Sequence, residues 1–359
     1  MPTSGSREVA VVAFAQSQHV RRLEDHNEVE LVMPVLHEVK TTLGIEQKDI
    51  GFTCSGSTDY LAGAAFSFVQ ALDGVGAWPP ISESHVEADG AWALYEAWVK
   101  IQTGQADTAL VYSYGKSSPG SLRDVLSRQL DPYHQAPLWP DSVALAALQA
   151  RACLDAGVTS LEEMAAVAVR SRRAAADNPF ALLRSSDDAE LLLKEPELAS
   201  PLRRHDCPPV TDGAAAIVLA AGDRARELVD RPAWIDGIDH RTDAHSIGVR
   251  DLTTSGSTRI AGEKAGVGSA PVDVAELHAP FTHQEIILRR ALGLGDEVSI
   301  NPSGGALAAN PMMAAGLVRI GEAAQRIMRG DAGRAVAHAT SGPCLQQNLV
   351  CVLEAEGGS

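Results

Sequence analysis

ADGAWALYEAWVKIQTGQADTA, residues 88–109, and AAGLVRIGEAAQRIMRGDAGRA, residues 314–335, align without a gap at an offset of 226 residues. Eight of the 22 pairs are identical: Ala88/Ala314, Gly90/Gly316, Glu96/Glu322, Ala97/Ala323, Ile101/Ile327, Gly104/Gly330, Ala106/Ala332 and Ala109/Ala335. Both copies read as a helix, a glycine stop and a strand. Ala and Gly supply six of the eight identities, but the shared order of elements favours internal duplication over two unrelated βα units. A weaker echo at offset 224 sets Asp49-Ile50 on Asp273-Val274 and Cys54 opposite His278.

Outward from this pair, strands and helices alternate. Val9 to Phe14 reads as a strand, and 27–43 as a helix with Val29, Val32, Val35, Leu36 and Val39 on one face, Pro34 inside and Gly44 as C-cap. Asp49 to Cys54 is a second strand, 86–103 a helix and Thr108 to Tyr114 a strand. Residues 117–206 carry seven prolines around helices at about 141–156 and 161–177, an excursion between strands. The strand signal returns at 211–221. The second half gives strands at 234–239 and 273–278, helices at 255–267, 283–292 and 312–329, and strands at 334–340 and 348–355. The pattern predicts an α/β chain of βαβ units in two halves, 1–222 (with an inserted loop domain at about 117–206) and 223–359.

The 359 residues carry 30 Lys+Arg against 46 Asp+Glu, a formal charge of −16. A nucleic-acid binder clusters basic residues against phosphates, and no such cluster is present. No apolar run reaches the ~18–20 residues of a membrane span. MPTSGSREVAVV has no basic stretch leading into an apolar one, so no secretory signal is read and a cytoplasmic location is expected. The five cysteines are scattered without a CxxC pair, which predicts neither a disulfide framework nor a metal site.

Four motifs, in order, resemble those of the thiolase family: AAVAVRSRRAAADNPFA at 165–181, TDGAAAIVL at 211–219, ELHAPF at 276–281 and NPSGG at 301–305. ELHAPF is similar to the ELHDCF of the sterol-carrier-protein-type thiolases. The resemblance implies a five-layered α-β-α-β-α sandwich of two duplicated halves, and a dimer joined through sheet edges, here the strand at about 108–114. It also implies a nucleophilic Cys in a Cys-Ala-x-Gly motif, which falls on Glu87-Ala88-Asp89-Gly90. The family's Gly-His-Pro falls on Ala309-Asn310-Pro311, so Asn310 replaces the activating His. Its final Cys-x-Gly falls near Ser341 or Gly342, with Cys344 just beyond.

Lacking nucleophile and base together, the chain looks most like the actinobacterial lipid-transfer-protein aldolases, which cleave the side chain of a steroid β-hydroxyacyl-CoA without a covalent intermediate. That branch implies coenzyme A as part of the substrate, no bound cofactor, and a small acyl-CoA-binding OB-fold partner or a thiolase-like paralogue in a homo- or hetero-oligomer. His278, at a strand's carboxyl end, is the expected oxyanion donor. Glu87, in the first turn of its helix, is the expected base for the β-hydroxyl, with His85 a second base. Asn310 is expected to donate to substrate and Cys344 to face the pocket. Asn301, Gly304, Gly305, Ser341 and Gly342 are the expected ligand-binding residues, whereas His338 is expected to be structural. A silent pseudo-thiolase subunit stays open as the alternative. Claisen acyl transfer is disfavoured by the missing Cys.

Overall fold

The computed structural model describes residues 7–185 and 188–356. The first six residues of the stretch read for a targeting signal lie outside them. Ten strands form one mixed sheet: β1 (Val9–Gln16), β2 (Phe52–Gly56), β3 (Glu83–Val86), β4 (Thr108–Gly115), β5 (Gly213–Ala221), β6 (Ala233–Thr242), β7 (Val274–Leu277), β8 (Ser299–Ile300), β9 (Arg334–Ser341) and β10 (Gln347–Glu354). The longer helices are α1 (Glu28–Leu43), α2 (Phe68–Val75), α3 (Gly90–Gln102), α4 (Ser142–Asp155), α5 (Leu161–Ala174), α6 (Gly256–Ala265), α7 (Thr282–Leu292) and α8 (Ala315–Arg329).

From the centre outward one half of the sheet runs β1-β5-β4-β2-β3 and the other β6-β10-β9-β7-β8, the same order twice. The seam is the pairing of Ala10 with Trp234 and of Val11 with Ala233. The central core joins Leu94 and Ile101 of α3 and Leu317, Ile320 and Ile327 of α8 to strand residues of both halves, such as Val111, Ile217, Ala337 and Leu353. Leu36 and Val75 bring α1 and α2 onto the outer face of the first half. Ala261 and Ile287 do the same for α6 and α7 on the second. The layers are therefore α1/α2, half-sheet, α3/α8, half-sheet and α6/α7.

The two copies of the repeat are α3–β4 and α8–β9. Strand β4 starts at Thr108 and β9 at Arg334, and 334 − 108 = 226. The weaker echo needs correction. β2 sets Phe52 against Ala109, and β7 sets Val274 against Ala335. Gly56, not Cys54, therefore answers His278, and Cys54 answers Glu276. A two-residue slip leaves every side chain on the same face of a strand, so the burial pattern could not detect it. The edge assignment is also corrected: β4 lies between β5 and β2, and the edge strand is β3. Its ESHV sequence is short and half-buried, without the apolar run that marks inner strands.

Candidate active site

Strands β2, β3 and β4 run parallel, as do β7, β8 and β9, and their carboxyl ends carry the groups singled out by sequence. His278 follows β7 and is 6% exposed. Its Nδ1 accepts the Thr340 backbone N–H at 3.4 Å, and its Nε2 meets Asn310 Oδ1 at 3.1 Å. A backbone N–H only donates, so the hydrogen sits on Nε2 and points at Asn310. Burial, and then the neighbouring His338, push the His278 pKa down to about 3, so the ring is neutral. Asn310 is fixed by its own N–H to Thr211 Oγ1 at 3.0 Å. The Asn310 Oδ1 is thereby committed to His278.

A second group forms beyond β3. Glu87 Oε1 accepts from Thr58 Oγ1 at 2.7 Å and from the Asp59 N–H at 2.8 Å, while Oε2 lies 3.4 Å from His85 Nε2. Ser55 Oγ lies 2.9 Å from His85 Nδ1, and Phe68 stacks on the ring at 4.2 Å. The Glu87 side chain is 50% exposed. Its expected place in a helical turn is corrected: α3 begins at Gly90, and Glu87 lies in the bend before it. The two groups are stitched together by Gly90 N–H to the Met313 carbonyl at 2.8 Å, three residues beyond Glu87 and Asn310 respectively.

Asp89 explains the displaced helix start. It is the N-cap of α3, accepting the Ala91 N–H at 2.9 Å, and it also accepts Gly316 N–H at 2.9 Å and Leu317 N–H at 3.1 Å from the first turn of α8. One carboxylate thus clasps the amino ends of both central helices. Burial outweighs these bonds and raises its pKa to about 6.

The other candidates fall outside these two groups. Asn301, in the left-handed region at φ 49°, accepts Leu277 N–H at 2.6 Å and donates to Glu285 at 2.9 Å, so its amide brackets β7 to α7. A Cβ on Gly304 would lie 2.5 Å from Ala175 Cβ, and one on Gly305 2.8 Å from the Asn301 side chain, so both glycines serve packing between protein segments. Ser341 pairs with Gln347 at the end of β9, and Gly342 turns at φ 75°. Thr340 is the residue of that strand end that reaches His278. Cys344 packs with Leu130 and Leu145 and faces the Leu145 carbonyl. His338 bonds Asn348 at 3.0 Å inside the core. Trp92 packs on the central core.

All five thiols are free, and burial raises each: Cys153 and Cys344 to about 11, Cys207 to about 12, and Cys54 and Cys351 further still. Among the described residues no His, Cys, Asp and Glu cluster has a metal-holding arrangement, and no helix is long and apolar enough to cross a membrane. A concavity of about 640 Å³ lies at the opposite end of the first half, beside Thr108 and Ala221. Its charges pair with one another, as in Arg7–Asp107 and Arg226–Glu8. Ser55, Thr58, Asp89 and Thr340 escaped the sequence reading. The hydroxyl-rich Ser55-Gly56-Ser57-Thr58 after a strand was the available signal.

No family model matches the sequence. The chain is 27% identical to the acetyl-CoA acetyltransferase of Methanothermobacter thermautotrophicus over 290 residues, 71% of this chain and 73% of that protein. It is 24% identical to sterol carrier protein 2 of Rattus norvegicus over 330 residues, 81% of this chain but 59% of that protein. Its structure is similar to the Ltp2-ChsH2(DUF35) aldolase, with a TM-score of 0.81, 19% identity, and coverage of 97% of this chain and 98% of that chain. The acetyl-CoA acetyltransferase of Bacillus anthracis matches with a TM-score of 0.81 and 18% identity, over 99% of this chain and 100% of that chain. The chain therefore has the thiolase fold, and its sequence is similar to acetyl-CoA acetyltransferases and to sterol carrier protein 2.

Proposed function

We propose that the chain binds acyl-CoA thioesters and cleaves a carbon–carbon bond of a β-hydroxyacyl-CoA by a retro-aldol step without a covalent intermediate. Glu87 takes the β-hydroxyl proton. The O–H electron pair becomes a carbonyl bond, Cα–Cβ breaks, and its electrons pass to the thioester oxygen as an enolate. The amide N–H of Asn310, oriented by neutral His278, holds that oxygen. The proton on Glu87 then returns to the α-carbon. Coenzyme A enters as part of the substrate, and the steroid side chain is the substrate class that the resemblance favours.

The observation that carries this reading is a carboxylate at 87 and, at 310, an amide whose Oδ1 is held by neutral His278, which leaves His278 as the orienting group rather than the expected donor, while burial raises every thiol above its ordinary range. The similar Ltp2-ChsH2(DUF35) aldolase is a two-protein assembly by name. We extend that to a small acyl-CoA-binding partner or paralogue here. Exposed Tyr60, Phe66 and Trp78 offer apolar surface for one. The test is release of the carbonyl product and the shortened acyl-CoA from a β-hydroxyacyl-CoA, with and without the partner. Glu87→Gln keeps the acceptor for Thr58 and Asp59 and so the fold. It should lower kcat ~10²–10⁴-fold with little change in KM. Full activity in Glu87→Gln refutes the assignment.

A silent subunit is the second reading. It is favoured by the tightness of the site: Glu87 already has three partners, and the adjoining cavity is about 10 Å³. Acyl-CoA binding without turnover in the presence of the partner would select it.

A further inference from the structure

Two buried hydroxyls beside the candidate site lack a fully formed hydrogen bond. Ser57 is 1% exposed and Tyr114 3% exposed; the Tyr114 phenol faces the Ser57 and Ser67 hydroxyls, but neither the phenol nor the Ser57 hydroxyl has a partner at full hydrogen-bond geometry. Both line the same cavity of about 10 Å³, together with Thr58, Met312 and Met313. An unmet buried hydroxyl is destabilising, so two around one space call for an occupant with hydrogen-bonding capacity. The volume matches a single oxygen, since one water needs roughly 10–15 Å³ by this measure.

The cavity's position gives the occupant a role. Ser57 directly follows β2, and Tyr114 is the penultimate residue of β4, so both stand at the carboxyl end of the first half. Thr58, on one wall, donates to Glu87. Met312 and Met313, on another, directly follow Asn310-Pro311. Two of the walls touch: a Cβ on Gly115 would lie 2.1 Å from the Met312 carbonyl oxygen. The space therefore shares Thr58 with the carboxylate group and borders the segment that follows Asn310. Burial holds the Tyr114 phenol above its ordinary range, so it stays protonated and able to donate.

We infer that Tyr114 and Ser57 form an oxygen-binding subsite, filled by water in the resting protein and by the substrate's β-hydroxyl oxygen during turnover. The first half stands on the geometry alone; the second rests on the retro-aldol reading. In that step the hydroxyl proton goes to Glu87. The phenol O–H donates to the oxygen as negative charge develops on it and keeps its own proton throughout. Tyr114 is then a further catalytic residue, and Ser57 shares the load.

The two halves are tested separately. A high-resolution crystal structure of the full chain should show an ordered water within hydrogen-bond distance of both hydroxyls. An empty cavity, or the two hydroxyls bonded to each other, overturns the subsite. With a β-hydroxyacyl-CoA, Tyr114→Phe should lower kcat about 10–10²-fold and leave KM within about twofold, with an unchanged circular-dichroism spectrum. Ser57→Ala should lose less, because the phenol remains. Wild-type turnover in Tyr114→Phe overturns the substrate role. Absence of any aldolase activity in the wild type, with the water present, sinks the retro-aldol reading and leaves the oxygen subsite standing.

Discussion

Asp89→Asn probes the clasp that sets the start of α3 and the bend carrying Glu87. The carboxylate faces three N–H donors and is 2% exposed. Its pKa rises from 3.8 to about 6 because burial disfavours the charge more than the donors favour it. A carboxyl raised in the folded state holds a proton that the unfolded chain has already released. Its contribution is therefore fully present below pH 3.8 and is lost as pH rises through about 6. The size is about (6 − 3.8) × 1.36, or about 3 kcal/mol. Asparagine does not titrate here, so the stability difference, wild type minus variant, should shrink by about 2 kcal/mol between pH 4 and pH 7. A constant offset adds to this, because one amide oxygen cannot serve three N–H groups and an orphaned donor costs about 1–3 kcal/mol. Urea unfolding of both proteins at one protein concentration, from pH 4 to 8, measures it. A difference that is flat, or that widens as pH rises, refutes the reasoning.

Other outcomes follow from the same geometry. With the His278 pKa at about 3, its imidazole should read as the neutral Nε2–H tautomer by ¹⁵N NMR from pH 5 to 9; a titration midpoint between 6 and 8 would contradict this. Asn301→Ala should cost about 2–4 kcal/mol in thermal unfolding, because Leu277 and Glu285 lose their partner and φ 49° disfavours alanine. A loss under about 1 kcal/mol would show that this bracket is dispensable. Cys344→Ala should leave turnover unchanged and lower stability by about 1 kcal/mol, since the thiol sits in an apolar cluster with Leu130 and Leu145 and faces a carbonyl; lost turnover would bring the thiol back into the chemistry.

The offset of 226 located the central layer because α3 and α8 are buried between two half-sheets and cannot drift in length. The register of β2 against β7 was not legible, since strand periodicity is blind to a two-residue slip. Strand β3 was missed because an edge strand needs no apolar run, and Ser84 and His85 gave it none. His278 and Asn310 were legible as residues through their motifs, but their mutual bond spans 32 positions and no local pattern carries it. The same holds for Thr58 and Glu87, 29 positions apart. Cys344 looked pocket-facing because it follows Gly342-Pro343 in a turn. The left-handed turn at Cys344 and Leu345, φ 54° and 58°, sends it toward α4 instead.

The most direct test is intact-mass spectrometry of the chain during turnover, quenched while a β-hydroxyacyl-CoA is consumed in the presence of the partner. The account predicts a carbonyl product and a shortened acyl-CoA in equal amounts, with the protein mass unchanged. A protein carrying the mass of the acyl group, on any cysteine or on Glu87, would contradict it.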